Sequence, residues 1–319
     1  MEFLLFFVGF ILLIKASDYF VDASVKLAKI FKMPEVIIGA TIVSLGTTLP
    51  ETLVSATGSF RDLDDMAYGN AIGSIICNTA LIAAITMVFL PSKVDKESLK
   101  RPIKFFFFAY IVYCTIAICF RKFDRLAGVI LFSIFIAFVI SVVRSTGDNE
   151  KKLDSEAQEK VNDNIFKQVV IIIISAIVIA LGANMLVTNG TKIAIMIGVP
   201  ESVVALTMVA LGTSLPELMT AITAIRKKHG ELSIGNIIGA NFLNLVTVTG
   251  IAAMIGTVDI SDEKTFRGFN ASFIIDIPLV LIVMLILCVP PILKGRTYRW
   301  QGIILLIIYT IYVIFQFAY

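Results

Sequence analysis

Two short stretches place carboxylates among almost wholly apolar neighbours: "GTTLPE" at 46–51 and "GTSLPE" at 212–217. Pro50 has no N–H, and its ring crowds the carbonyl of Gly46; Pro216 does the same to Gly212. Each proline thus releases backbone carbonyls beside Thr47 and Thr213, which themselves add hydroxyls. These are hard oxygen donors without charge, tolerated at membrane depth only where protein or an ion path satisfies them. Glu51 and Glu217 bring the charge. A carboxylate near the middle of a bilayer costs on the order of 3 kcal/mol even on the gentler scales. Two facing carboxylates also repel, unless a proton or a cation lies between them. One divalent cation cancels both charges, and Ca²⁺ takes about 6–8 oxygens in flexible geometry. The rigid octahedron of Mg²⁺ suits such a loose oxygen set less well. The lack of His and Cys in the constellation disfavours zinc, copper and iron.

A second pair of stretches supplies further oxygens: "YGNAIGSIICN" at 68–78 and "IGNIIGANFLN" at 234–244. Ser74 and Asn78 are four apart and share one helix face. Asn244 occupies the place of Asn78 in the second stretch, but Ala240 stands where the first has Ser74. Asn241 lies one step off that face and is a secondary candidate, as are Ala240, Thr48 and Ser214. Gly69, Gly73, Gly235 and Gly239 allow close helix approach. Structural alternatives exist for the hydroxyls and amides as ordinary links between helices.

The elements that must hold these groups follow from composition. The chain has 319 residues, 58% of them apolar, and a mean hydropathy of +0.92, which points to a polytopic membrane protein. Ten stretches qualify as spans at about 20 residues each, near 2–25, 35–59, 67–90, 103–120, 124–144, 166–190, 200–224, 232–257, 270–292 and 300–318. The N-terminal stretch carries Glu2 where a signal peptide carries positive charge, and it reads as the first span. Cys77, Cys114, Cys119 and Cys288 all fall in apolar spans and read as small core hydrophobes. Residues 21–79 align with 187–245 at a constant offset of 166, so the chain is an internal duplication. The expected fold is all-α, with ten transmembrane helices as two five-helix repeats, 1–144 and 166–319. Helices two and seven are broken, and a frayed polar connector of no domain size joins the halves at 145–165.

An odd number of spans per repeat inverts the second copy. The charges agree: "RDLDD" (61–65) is acidic, while its counterpart "KKHGE" (227–231) is basic. Of the 27 Lys and Arg residues, nineteen fall in one set of alternate loops and seven in the other. The positive-inside rule therefore puts both termini outside and the connector in the cytoplasm. Inverted repeats are an architecture of secondary transporters, with the site between the halves. Lys15 reads as a local ion pair with Asp18 and Asp22. The Pro-Glu pairs at 34–35 and 200–201 read as ordinary helix starts. His229 reads as a loop residue without a pH-sensing role, and Asp276 shows no partner.

With these motifs in view, the chain resembles the calcium/cation antiporter superfamily, and within it the short prokaryotic form of the sodium/calcium exchanger family, with alpha-repeat motifs at 39–79 and 205–245. The resemblance implies a transporter and not an enzyme, needing no cofactor, in the plasma membrane. It implies alternating access, with export of Ca²⁺ in exchange for Na⁺ bound between spans two, three, seven and eight. By motif position Glu51 and Glu217 would share the ions. Thr47 and Thr213 would give hydroxyl and carbonyl oxygens, Ser44 and Ala210 backbone carbonyls, and Ser74, Asn78 and Asn244 would complete the set. Asn244 stands where potassium-dependent exchangers and some prokaryotic relatives carry Asp, which argues for potassium independence; Ala240 in place of a serine seen in some relatives puts one flanking sodium site in doubt. A Ca²⁺/H⁺ antiporter, with H⁺ as the coupling ion, is the alternative, and a cation channel is a further one. Expected partners are these ions and lipid, with no nucleic acid; a monomer is compatible with the sequence.

Overall fold

The computed structural model describes residues 1–150, 155–197, 212–260, 265–266 and 269–318. These are almost entirely helical, because long apolar runs in a membrane must satisfy every backbone group internally. The chain order is α1 (Glu2–Ile30), α2 (Glu35–Thr47), α3 (Leu49–Phe60), α4 (Asp64–Phe89), α5 (Lys96–Phe120) and α6 (Arg125–Glu150). There follow α7 (Ser155–Met196), α8 (Leu215–Arg226), α9 (Gly230–Ile255), α10 (Ser272–Lys294) and α11 (Arg299–Ala318). Among the described residues eight helices are long and apolar enough to cross a membrane, and nine if α2 and α3 count as one span bent by 45°. The span expected at 200–224 is described only from residue 212 onward.

The duplication is written in the backbone. Thr48 (φ −84°, ψ 0°) separates α2 from α3, and Ser214 (φ −85°, ψ 3°) precedes α8 in the same conformation. Both following helices are 12 residues long, with the proline in the first turn, where its missing N–H is not needed. Each helix is followed by a left-handed residue, Asp62 (φ 55°) or Lys228 (φ 63°), again 166 positions apart. Within α4 and α9, a π-helical stretch opens at Asn78 and at Asn244.

Helices α4 and α9 form the centre. Their most apolar windows are 72% and 89% buried, against no more than 39% for the other six long helices. A Cβ on Gly39 would meet Leu232 O at 2.4 Å, and one on Gly235 would meet Val36 O at 2.2 Å. The backbones of α2 and α9 therefore touch, which only small residues permit. Phe242 on α9 packs against Phe105 and Phe138 of α5 and α6, with ring centroids 6.1 and 4.9 Å away. The buried apolar residues divide into two clusters. The larger gathers α4, α5, α6, α9 and α10; the smaller joins α1 to α7 and the facing side of α2.

Contacts between connecting segments sort into two ends. At one, Ser92 and Thr297 exchange hydrogen bonds, Lys93 bridges Arg296, and His229 Nδ1 meets Glu35 Oε1 at 2.9 Å. At the other, β1 (Lys122–Phe123) pairs with β2 (Val258–Asp259), and Ser59 Oγ donates to Ala252 O at 2.8 Å. A second hairpin pairs β3 (Thr265–Phe266) with β4 (Phe269–Asn270). Every contact between connecting segments named for the two ends joins segments that the charge count puts on one side.

Several expectations change. Asp18 and Asp22 do not form the local pair with Lys15, which is exposed. Asp22 instead meets Lys227 at 2.7 Å, and Asp18 lies 3.6 Å from Lys227 and 3.8 Å from Arg226, at the end of α8. The tertiary fold brings stronger partners than the helix surface offers. Glu35 does open α2, yet it also holds His229. Asp276 has partners, Tyr312 Oη at 3.2 Å and Gln316 Nε2 at 3.5 Å. All four cysteines are free; Cys77 and Cys288 are buried, but Cys119 is exposed and so is not a core residue. The polar connector is helical through Glu150 and again from Ser155, since its Glu, Lys, Gln and Ala are good helix formers.

The α2–α9 crossing yields a stability test. Gly235→Ala must push Val36 away, an overpacking penalty of about 1–3 kcal/mol. Detergent-purified variant should therefore melt several degrees below the parent; an unchanged melting temperature would contradict the contact.

Candidate ion-binding site

Glu51 sits in the first turn of α3 and Glu217 in the first turn of α8; both are fully buried. The two carboxylates are near enough to repel one another, and the Cys77 thiol lies within electrostatic reach of both. None of their four oxygens accepts a hydrogen bond. Buried carboxylates without donors are costly unless a positive charge meets them. This pattern is what a cation site requires: its oxygens must be left free for the ion.

The neighbouring groups share that property. Both polar atoms of Asn78 and both of Asn244 are buried and unpartnered, and so is Thr48 Oγ1. The α3 helix that carries Glu51 packs on the π-helical turn at Asn244, while α8 with Glu217 packs on the turn at Asn78. Each glutamate-bearing helix thus packs on the asparagine turn of the opposite repeat. Ser74 and Ser214 are buried nearby on α4 and before α8, and Thr213 is half-buried. Ser44 ends the π-helical stretch Gly39–Val43. Its carbonyl accepts the Thr48 N–H at 2.9 Å and lies 3.4 Å from the Thr47 hydroxyl. Ala210 lies outside the described residues. Ala240 is buried and offers no side-chain oxygen.

Asn241 points elsewhere. Its Nδ2 donates to Thr79 Oγ1 at 2.6 Å and to Met284 Sδ at 3.2 Å, which ties α9 to α4 and α10. Its Nδ2 is thus committed to packing, while its Oδ1 is buried without a hydrogen-bond partner.

Two asparagines matter that the motif reading did not assign. Asn70 Nδ2 donates to the Glu51 carbonyl at 3.0 Å and to Ser55 Oγ at 2.9 Å, and so fixes the first turn of α3. Asn236 accepts the Thr47 hydroxyl at 3.2 Å and donates from Nδ2 to Thr220 Oγ1 at 3.4 Å. Thr220 in turn donates to the Glu217 carbonyl at 2.9 Å. The signal was present: "GN" recurs at 69–70 and 235–236, at the same offset as the glutamates. The π-helical turns carried no such signal, because one extra residue in a turn leaves the apolar pattern almost unchanged.

In chemical terms the constellation offers two carboxylates and several neutral oxygens, while the nearby Cys77 thiol accepts the Tyr309 hydroxyl at 3.7 Å. Among the described residues no group of three or more His, Cys, Asp or Glu is placed to hold a metal. The donors fit a Ca²⁺ ion, or Na⁺ ions in its place, since both are hard and accept irregular shells.

Comparison with known proteins agrees with this chemistry. The family profile described as sodium/calcium exchanger protein matches residues 1–144 and 167–318. The chain is 26% identical to the sodium/calcium exchanger MaX1 of Methanosarcina acetivorans, over 99% of this chain and 98% of that protein. It is 32% identical to an uncharacterized membrane protein of Methanocaldococcus jannaschii, over 96% and 95%. Among solved structures, the sodium-calcium exchanger NCX_Mj soaked with Na⁺ superposes with a TM-score of 0.80 at 30% identity, over 97% of both chains. The same exchanger soaked with Na⁺ and Sr²⁺ also gives 0.80, over 98% of both.

The two asparagines of α9 separate binding from packing. Asn241→Leu leaves the Thr79 hydroxyl without its donor and should lower stability by about 1–3 kcal/mol, with ion half-saturation little changed. Asn244→Leu removes unpartnered atoms, so it should weaken ion binding while keeping the melting temperature. Thermal melts with and without Ca²⁺ read both effects.

Proposed function

Because the chain belongs to the sodium/calcium exchanger family, we propose that it is a secondary-active antiporter that exports Ca²⁺ in exchange for Na⁺ by alternating access, independently of K⁺. One observation carries this reading: two buried carboxylates from opposite repeats, ringed by neutral oxygens, with no protein donor on any of their oxygens. A Ca²⁺ ion neutralises the pair, and Na⁺ ions can do so in its stead, so each ion makes room for the other. Sites that both cannot fill at once are the basis of exchange. Potassium independence is supported by Asn244, an amide where a further carboxylate would otherwise add charge. Glu51, Glu217, Thr47, Thr213, Ser74, Asn78 and Asn244 are the proposed ligands, with the carbonyls of Ser44 and Ala210 and, second to them, the hydroxyls of Thr48 and Ser214.

For the architecture we propose ten crossings in two inverted halves, 1–144 and 166–319, joined by a cytoplasmic segment. The sorting of contacts between connecting segments into two ends supports it, as do the matching breaks at Thr48 and Ser214. The basic end, with Lys93, Arg226, Lys227 and Arg296, would face the cytoplasm of a cell whose plasma membrane holds the protein, and both termini would lie outside.

The test is Ca²⁺ uptake into proteoliposomes under an imposed outward Na⁺ gradient, beside an imposed pH gradient. Uptake should follow Na⁺, need no K⁺, and fall to background in Glu51→Gln and in Glu217→Gln. Uptake that follows only the pH gradient would identify a Ca²⁺/H⁺ antiporter instead. Full activity in both variants would remove the site assignment.

A further inference from the structure

We propose that Asn236 is a positioning residue: it holds the Thr47 hydroxyl so that its lone pairs face the bound ion, and thereby sets affinity for Na⁺ more than for Ca²⁺. This rests on the reading of the site as one that takes both ions.

The hydrogen-bond distances favour one order of protons along a chain of four groups. Thr220 donates to the Glu217 carbonyl at 2.9 Å, so its oxygen is left to accept from Asn236 Nδ2 at 3.4 Å. The amide is thereby oriented with Oδ1 toward Thr47, whose O–H has Oδ1 at 3.2 Å as its nearer acceptor and the Ser44 carbonyl at 3.4 Å. A hydroxyl has one proton and two lone pairs. With the proton drawn to Asn236, the lone pairs remain for a cation. The chain begins at Thr47 in the first repeat and ends at Glu217 in the second, with both middle members buried.

Without Asn236 the Thr47 proton has two other acceptors. The Ser44 carbonyl is 3.4 Å away, and the Glu217 carboxylate lies beside it. Donation to Glu217 would turn hydrogen toward the ion and occupy an oxygen the ion needs. Na⁺ carries half the charge of Ca²⁺ and draws less from the carboxylates by Coulomb attraction. It therefore depends more on correctly turned neutral oxygens. Asn70, at the same place in the first repeat, does different work: it holds a carbonyl and Ser55, not a site hydroxyl. The two halves are tuned unequally.

The experiment uses the full-length purified protein and reads stabilisation against heat during NaCl and CaCl₂ titrations at constant ionic strength. Sodium-driven Ca²⁺ uptake in proteoliposomes accompanies it. Asn236→Leu and Asn236→Ala should raise half-saturating Na⁺ about fivefold, the weight of one net hydrogen bond. Half-saturating Ca²⁺ should move less than twofold, with the saturating signal retained. Thr47→Val should raise the Na⁺ value too, and adding Asn236→Leu to it should change nothing more. Thr220→Val, which frees the amide to turn, should shift Na⁺ in the same direction by less; it serves as the readout if the Asn236 variants do not fold. Additive shifts in the double variant, equal shifts for both ions, or an unmoved Na⁺ value would overturn the proposal while wild-type exchange stands. A wild-type protein that binds Ca²⁺ but never Na⁺ would overturn both this proposal and the exchanger reading.

Discussion

The repulsion between two carboxylates held out of water is the constraint on which the rest depends. Two buried carboxylates repel unless a cation or a proton lies between them, and among the described residues no Lys or Arg pairs with Glu51 or Glu217; Lys227 and Arg226 are engaged at the far end of α8 with Asp18 and Asp22. Every feature around the pair keeps oxygen available and positive side chains away. Each proline sits in the first turn of the helix that presents its glutamate. That end of a helix favours negative charge, which eases the burial without neutralising it.

Positioning at this depth needs rigid neighbours. Helices α4 and α9 supply them because glycines let α9 meet the backbone of α2 directly. The π-helical turns at Asn78 and Asn244 widen both helices where the amides must face inward. Asn70 and Asn236 then pin the two motif segments to these central helices by hydrogen bonds across the bundle. Gly-Thr-x-Leu-Pro-Glu is thus only the visible half of each motif; the pin lies 19 residues later in both copies.

Much of this was legible in the sequence, for a physical reason. A proline beside a carboxylate in an apolar run is so unfavourable in lipid that function is the strongest explanation, and duplication at a fixed offset strengthens it. Span positions followed from length and hydropathy, and α4, α10 and α11 start and stop close to where the apolar runs do. What could not be read depends on direction and partner choice. Asn241 and Asn244 are three apart, yet one commits its Nδ2 to Thr79 and Met284 while the other keeps both polar atoms free. Asp18 looked paired to Lys15 because helix spacing shows only local partners, whereas the end of α8 is brought there by tertiary packing. His229 looked idle until the fold set it against Glu35.

The separation of the apolar core into two clusters has a consequence for register. In water, a greasy seam between α1–α7 and the remainder would be held by the hydrophobic effect. In a bilayer lipid tails are as apolar as leucine, so that seam has little preference for one alignment over another. The few polar ties across it, Asp18 and Asp22 to Lys227, are what single out an alignment. A broad apolar boundary with charged pins at one rim is therefore aligned from its end, not along its length.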